Sequence, residues 1–166
     1  MKREEIIIVD YDDNVLGTKY RDEIDYTKDI YRTTGIWIKD STDRILIAQR
    51  SHSKPKDSGK WGPSVAGTVN YGETYEENAY KELEEELGVK DTVLVQGPKQ
   101  YINSPRKQFY QWFVCTVDKP SDEFNFQKDE VEQLRWVSKK DLLLDVTNHP
   151  DKYVPFMKDA LDLMFS

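Results

Sequence analysis

Apolar and polar residues alternate along much of this chain and mark out its strands. Glu5 to Tyr11 is a β-branched run, and Val15 to Tyr20 can return beside it across the polar turn at 12–14, which predicts an opening β-hairpin. Ile30 to Lys39 and Arg44 to Arg50 are the next two predicted strands. We expect their isoleucines to alternate toward one face of a sheet: Ile36, Ile38, Ile45 and Ile47.

The rest of the chain contains further strand patterns and, at its end, two helix patterns. Short strands are predicted within 64–71, 92–102, 108–117 and 130–137, separated by polar loops at 51–62 and 118–129. Trp61, at the end of the first of these loops, is expected to belong to the core. Ser138 is expected to cap a helix over Lys139 to Leu144. A last helix near Val154 to Phe165 should pack through one stripe of residues: Phe156, Ala160, Leu163 and Met164.

One central helix has well-defined ends. Thr74 followed by Glu77 is a capping-box pattern, and Gly88 is a typical C-terminal stop, so the helix is predicted from about Tyr75 to Leu87. Its apolar stripe comprises Ala79, Leu83 and Leu87. The order of strands, helix, strands and helices predicts an α/β sandwich with a mixed sheet between helical layers. A length of 166 residues is that of one domain, 1–166, in which 1–28 forms an N-terminal hairpin extension.

Composition limits the classes of function. The chain has 24 Lys and Arg against 31 Asp and Glu, a net charge of -7, which argues against binding nucleic acid through bulk electrostatics. No apolar run approaches the length of a membrane span, and the N-terminus has too short an apolar run for a signal peptide. The only cysteine is Cys115, which excludes an intrachain disulfide. We therefore expect a soluble, cytoplasmic protein with no membrane partner.

The central helix concentrates carboxylates on one face. Glu82, Glu85 and Glu86 stand at i, i+3 and i+4, where like charges cost roughly 0.2 to 0.5 kcal/mol per pair. An arrangement that repels itself is stabilised by a cation, and carboxylate oxygens suit Mg²⁺ or Mn²⁺. The alternative is a solvated acidic surface in an acidic protein.

The segment from Gly67 to Val89 resembles the signature of the Nudix hydrolases. Gly67 is followed after five residues by Glu73, and after seven more by Lys81-Glu82-Leu83-Glu84-Glu85-Glu86-Leu87-Gly88-Val89. Every specified position matches except the arginine of the signature, which is Lys81 here. The resemblance implies a Nudix-type α/β/α sandwich and a pyrophosphohydrolase that uses Mg²⁺, with Mn²⁺ as a substitute.

The resemblance also implies roles for individual residues. Glu82, Glu85 and Glu86 would bind the metal, and Glu73 would orient them from the turn. Glu82 or Glu85 would act as the general base. Lys81 would hold a motif carboxylate as a point charge in place of a forked guanidinium. A backbone carbonyl near Ala66 or Gly67 and a carboxylate outside the motif, either Glu130 or Glu132, are further candidate ligands.

The hairpin, the basic loop and the approach to Gly67 resemble one subgroup, which is related to isopentenyl diphosphate isomerase. The isomerase uses a cysteine just before the motif glycine, where this chain has Ala66. It also uses a glutamate in a later strand, and this chain has none between Gly97 and Ser121. The two histidines, His52 and His149, do not match its metal site. Hydrolysis is therefore expected rather than isomerisation.

Several substrates and one non-enzymatic function stay open. The expected substrate is a nucleoside diphosphate derivative or a nucleoside triphosphate. The alternative function is that of a non-catalytic nucleotide-binding module. The protein is expected to be a monomer or a homodimer. Aromatic candidates for stacking a base are Tyr71, Tyr101, Phe109, Tyr110 and Trp112. Basic candidates for meeting phosphate are Arg50, Lys54, Arg106 and Lys107.

Overall fold

The computed structural model describes residues 3–165, so that Met1, Lys2 and Ser166 of the expected domain lie outside it. Within residues 3–165 it contains nine strands: β1 (Glu5–Val9), β2 (Val15–Tyr20), β3 (Ile30–Lys39), β4 (Arg44–Arg50), β5 (Trp61–Gly62), β6 (Val65–Thr68), β7 (Val95–Ile102), β8 (Gln108–Thr116) and β9 (Val131–Ser138). The α-helices of the same residues are α1 (Tyr75–Leu87), α2 (Lys139–Asn148) and α3 (Met157–Phe165). The predicted α/β class with a mixed sheet is confirmed.

Strand β3 is the centre of the sheet. One of its edges pairs in parallel with β8 along nearly its whole length, from Tyr31 opposite Gln108 to Lys39 opposite Thr116. Its other edge is shared in succession by β1, β6 and β4, all antiparallel. The remaining strands extend the sheet outward: β2 pairs with β1, β7 with β8, and β5 and β9 with β4.

Helices cover both faces of this sheet. On one face α1 packs through Ala79, Leu83 and Leu87, all almost fully buried, as its apolar stripe predicts. On the other face, α2 and α3 cover a layer that contains Trp37 and Trp112, whose rings stack 5.4 Å apart. The molecule is therefore an α/β/α sandwich with one hydrophobic layer on each side of the sheet.

The expected common face of four isoleucines is wrong. Ile36 and Ile38 face α1, whereas Ile45 and Ile47 face α2 and α3. The reason is the register: Ile38 stands opposite Leu46, and residues opposite each other on neighbouring strands point to the same side. Leu46 therefore joins Ile36 and Ile38 beneath α1.

Most element boundaries agree with the sequence prediction, and α1 agrees at both ends. Thr74 accepts a 3.1 Å hydrogen bond from the Glu77 amide, and Gly88 adopts a left-handed φ of 67°. Helix α2 extends one turn beyond its predicted end because Val146 packs into the core. Leu163 of α3 is 44% exposed, so its predicted packing role is wrong. Trp61 is buried in the core as expected.

Ser64 lies where β3 and β4 separate. These strands pair only at Ile38–Leu46 and Lys39–Ile45. The Ser64 hydroxyl accepts a 2.9 Å hydrogen bond from the Ile38 amide and donates a 2.5 Å bond to the Leu46 carbonyl, so it stands between the two strands. Beyond this point the segment 61–68 fills the opening, since β5 pairs with β4 and β6 pairs with β3.

None of the helices described within residues 3–165 is long and apolar enough to span a membrane.

Candidate active site

A cavity of about 650 Å³ lies along the segment that separates β4 from β6. Its walls come from the ends of β3, β4 and β8, from α1, and from the loops at 51–60 and 103–107. Three of the predicted metal ligands line it, Glu82, Glu85 and Glu86. The carboxylate cluster of α1 therefore borders a cavity rather than an open acidic surface.

Gly67 allows Glu82 to lie against β6. A Cβ atom at position 67 would overlap the side chain of Glu82, including its carboxyl carbon. Only glycine leaves room for this carboxylate between the helix and the strand. The first glycine of the motif is thus explained by close approach of a side chain.

Glu73 ties the turn before α1 to the helix itself. Its carboxylate forms an ion pair with Lys81 and accepts hydrogen bonds from Asn78 Nδ2 at 2.8 Å and from the Asn70 amide at 3.0 Å. Burial opposes its ionisation, but these hydrogen bonds prevail and hold the pKa of Glu73 below its usual value. Buried Asn78 also contacts β3, because its Oδ1 accepts from Thr34 Oγ1 at 2.5 Å.

The carboxylates of α1 differ in environment. Burial is the main cause that raises the pKa of Glu82 to about 7, with repulsion from Glu85, Glu73 and Glu130 adding to it and Lys81 opposing it. Burial, with Glu82 and Glu130, raises the pKa of Glu86 well above its usual value. Glu85 is exposed.

Glu130 comes from outside the motif and lies close enough to Glu82 and Glu86 to repel them. It immediately precedes β9, lines the cavity, and forms a 2.5 Å ion pair with Lys54. Glu132 is exposed on β9 and is not among the cavity-lining residues. Of the two candidate ligands outside the motif, only Glu130 lies near the α1 carboxylates.

The donor set suits a hard divalent cation. Glu82 and Glu86 are partly buried on the same face of α1, and burial, with repulsion between them and from Glu130, raises both pKa values. Carboxylate oxygens in this arrangement are the ligands that a hard divalent cation prefers. Among residues 3–165, no three acidic, histidine or cysteine side chains are already gathered closely enough to enclose an ion. The carboxylates therefore form an open lining rather than a closed cage of ligands.

A basic wall faces the same cavity. Arg50, Lys54, Lys56 and Arg106 all line it. Of the carboxylates within residues 3–165, none forms a salt bridge with Arg50, Lys56 or Arg106. Burial, with the neighbouring charges of Arg106 and Arg50, lowers the pKa of Lys56. Such a cluster of cations is suited to an anion with several negative charges.

The structure separates the other candidates. Among the five aromatic residues considered for stacking, Tyr110 lines the cavity, while Tyr71 and Tyr101 are exposed elsewhere and Phe109 and Trp112 are buried. Lys107 contacts Tyr11 instead of the cavity. Sequence reasoning missed four further residues that line the cavity: Tyr26, Tyr31, Thr33 and Gln108. They reach the cavity only through the pairing of β3 with β8 and the course of the connector at 21–28.

The family model of the NUDIX domain matches residues 30–160, which include the whole motif. The chain belongs to the Nudix family. Within it, the chain is 30% identical to the Nudix hydrolase PA4841 of Pseudomonas aeruginosa over 96% of its own length and 92% of that protein. It is 28% identical to a prenyl-diphosphate phosphatase of Methanosarcina mazei over 95% and 92% of the two chains. Similar curated proteins also include isopentenyl-diphosphate Delta-isomerases.

The crystal structure of DR0079 from Deinococcus radiodurans shares the Nudix fold of this chain. The TM-score is 0.86, and the match covers 98% of this chain and 100% of that one at 20% identity. Because this identity is low, the likeness concerns the fold alone.

The Nudix site has no thiol at the position of the isomerase cysteine. Ala66 lines the cavity there. The single cysteine, Cys115, is 3% exposed beneath α1, and burial raises its pKa to about 11. The part of β8 that reaches the cavity presents Gln108 and Tyr110 rather than a carboxylate. These residues differ from the cysteine and the glutamate that the isomerase uses.

Proposed function

We propose that this Nudix protein is a Mg²⁺-dependent hydrolase, with Mn²⁺ as a substitute, that cleaves the diphosphate linkage of a nucleoside diphosphate derivative or a nucleoside triphosphate. One observation carries the proposal: a cluster of carboxylates and a cluster of basic side chains line the same cavity. A diphosphate bridged to the carboxylates by a divalent cation, and contacted by guanidinium and ammonium groups, fits that lining.

In this proposal Glu82, Glu85 and Glu86 hold the metal, and Glu130 lies close enough to assist. Mg²⁺ bound there would neutralise charge on the phosphate oxygens and lower the pKa of the attacking water. Glu82 or Glu85 accepts the proton of that water. Glu73 positions α1 through Lys81 and Asn78 and does not itself contact substrate. Arg50 and Lys54 hold the phosphate chain.

The experiment described below also distinguishes two other functions, prenyl-diphosphate hydrolysis and nucleotide binding without turnover. Prenyl diphosphates are included because one relative is named a prenyl-diphosphate phosphatase. A nucleotide-binding module without turnover is less well supported, because Glu82, Glu85 and Glu86 all remain at the cavity.

The proposal is tested with a panel of nucleoside diphosphates, nucleoside triphosphates, nucleotide sugars and prenyl diphosphates in Mg²⁺. Wild type is compared with Glu86→Gln and with the control Glu84→Gln, which changes an exposed carboxylate of the same helix that pairs with Lys90 at 3.3 Å. We expect Glu86→Gln to lower turnover by about a hundredfold or more, since it removes a metal ligand, and Glu84→Gln to resemble wild type.

Unchanged cleavage by Glu86→Gln would overturn the metal site. Tight nucleotide binding without turnover by wild type would favour the binding module.

A further inference from the structure

Strands β3 and β8 supply a cavity wall that the metal and phosphate chemistry does not use. Their parallel register places Tyr31 beside Gln108 and Thr33 beside Tyr110, so all four side chains lie on the same face of the sheet. All four line the cavity, and three of them, Tyr31, Thr33 and Tyr110, carry hydroxyl groups. This wall is polar, although it borders a hydrophobic layer.

Gln108 is the informative member of this wall. The residue is 5% exposed, and its Oε1 accepts a 2.8 Å hydrogen bond from the hydroxyl of Thr33, itself 4% exposed. No described residue accepts a hydrogen bond from Gln108 Nε2, and the side chain borders the cavity. Among the described residues, the buried side-chain atoms without a partner are Trp37 Nε1 and Asn70 Oδ1, so Gln108 Nε2 is not sealed in the core but is open to the cavity. Thr33 donates to Oε1, and the two N–H groups of Nε2 can donate only to a molecule in the cavity.

We propose that Gln108 is a specificity-determining residue that donates from Nε2 to an acceptor on the nucleoside of the substrate, and that the protein therefore prefers nucleoside diphosphate derivatives to prenyl diphosphates. This inference rests on the proposed hydrolase function and adds the identity of the group beyond the diphosphate. Thr33 acts as a positioning residue, because its hydroxyl donates to Oε1 and holds the amide beside the cavity.

The chemistry of the neighbouring residues supports a polar occupant. Arg106 stacks over the ring of Tyr26 at 3.8 Å, and Arg21 pairs with Glu4; these four residues line the same cavity. A prenyl chain would displace water from Gln108 Nε2 and return no hydrogen bond to it, which is costly for a buried amide. A nucleobase or ribose offers carbonyl, ring nitrogen or hydroxyl acceptors.

The test compares wild type with Gln108→Met, which keeps the length of the side chain and removes the donors. Gln96→Met, on the exposed part of β7, is the matched control. The substrates are uridine diphosphate, guanosine diphosphate, dimethylallyl diphosphate and inorganic tripolyphosphate, which has no nucleoside. We expect Gln108→Met to raise KM for both nucleotides by about tenfold, with kcat and the kinetics of tripolyphosphate changed by less than about twofold. Gln96→Met should match wild type.

A second variant and a second measurement keep the inference testable on its own. If Gln108→Met fails to fold, Gln108→Glu retains an acceptor for Thr33 and removes both donors. Because its charge opposes every polyphosphate, it supports the inference only if nucleotide binding weakens by more than the binding of tripolyphosphate, and an equal loss for both overturns it. Calorimetry of uridine diphosphate with Ca²⁺ as the metal measures binding without turnover.

The failures of the two proposals are distinguishable. The inference about Gln108 would be overturned if the Gln108 variants bound nucleotides with unchanged KM and affinity. It would also be overturned if wild type had a higher kcat/KM for dimethylallyl diphosphate than for either nucleotide. Neither result contradicts the hydrolase proposal. A wild type that hydrolyses nothing defeats the hydrolase proposal. The role of Gln108 is then decided by calorimetry: weaker binding to the variant supports it, and equal or absent binding overturns it.

Discussion

The hydroxyl of Tyr75, the first residue of α1, donates a 2.9 Å hydrogen bond to Oδ2 of Asp13 in the turn between β1 and β2. The same carboxylate accepts hydrogen bonds from Arg32 Nε at 2.7 Å and from Lys99 Nζ at 2.6 Å. Burial opposes ionisation of Asp13, but these three partners prevail and lower its pKa. These contacts hold the N-terminal hairpin against the start of α1.

Asp13→Asn should therefore destabilise the fold. The change keeps the size of the side chain but removes the charge that balances Arg32 and Lys99, and we expect it to lower the free energy of unfolding by about 2 kcal/mol. Urea denaturation measures the loss. The control is Asp12→Asn, an exposed neighbour in the same turn. Equal stability of the two variants would show that the contacts of Asp13 contribute nothing.

Gly67→Ala should damage the site without unfolding the protein. The added methyl group would overlap the Glu82 side chain and push its carboxylate away from β6. Because Glu82 is a proposed metal ligand, displacing its carboxylate by about 1 Å should lower kcat by roughly a hundredfold. Gly17→Ala is the control, because nothing lies within 4 Å of a Cβ atom there. Wild-type turnover in Gly67→Ala would contradict the need for close approach.

Lys81→Arg should keep or raise turnover. Lys81 pairs with Glu73 through a point charge, and a guanidinium can hold the same carboxylate with two hydrogen bonds. Steady-state kinetics check the prediction, with Lys90→Arg as the control on an exposed lysine that pairs with Glu84. A large loss of turnover in Lys81→Arg would mean that Lys81 has a different role.

Ser64→Ala should weaken the junction between β3 and β4. The change leaves the Ile38 amide and the Leu46 carbonyl without their shared partner in a fully buried position. We expect a loss of about 2 kcal/mol in the free energy of unfolding, measured by urea denaturation. Ser58→Ala, at an exposed position, should stay close to wild type. A stability of Ser64→Ala within the error of wild type would be inconsistent with this bridging role.

Protonation of Asp40 should lower the free energy of unfolding in acid. Its buried carboxylate accepts hydrogen bonds from the hydroxyl and amide of Thr42 and from the amide and guanidinium of Arg44. Despite burial, these bonds lower its pKa to about 2. Because the folded pKa is depressed, the contribution is complete above the unfolded value of 3.8 and is lost as the pH falls toward about 2.

The measurement is urea denaturation of wild type and Asp40→Asn between about pH 7 and pH 3. The variant should be less stable at neutral pH, and the difference should narrow below about pH 4, because there the carboxyl of unfolded wild type takes up a proton while that of the folded protein stays ionised. Asp43→Asn, whose side chain is 83% exposed, is the control. A difference that stays constant with pH would exclude ionisation of Asp40 as the cause.

The sequence was sufficient where local interactions decide the structure. Helix α1 begins and ends as predicted because its capping residues, Thr74, Glu77 and Gly88, act within a few residues of each other. The spacing of Gly67 and the glutamates likewise fixed where the carboxylates lie relative to the helix. These features need no knowledge of distant contacts.

Contacts between distant segments could not be predicted in the same way. The side chains of Ile45 and Ile47 point away from α1 because of the register across the turn at 40–43, which periodicity alone leaves open. Gln108 meets Thr33 across 75 residues of chain, and only the parallel pairing of β3 and β8 joins them. The same pairing places Tyr110 at the cavity while Phe109 points to the opposite face.

The separation of β3 from β4 at Ser64 has a consequence for how this protein can vary. Its cavity lies along the opening in the sheet, so Glu82 approaches from the α1 layer and Gln108 from the layer beneath α2 and α3. Because Gln108 belongs to the sheet, the distance between them depends on the thickness of the hydrophobic layer between α1 and the sheet. A volume change at Ala79, Leu83 or Leu87 would therefore move the acidic side of the cavity relative to Gln108.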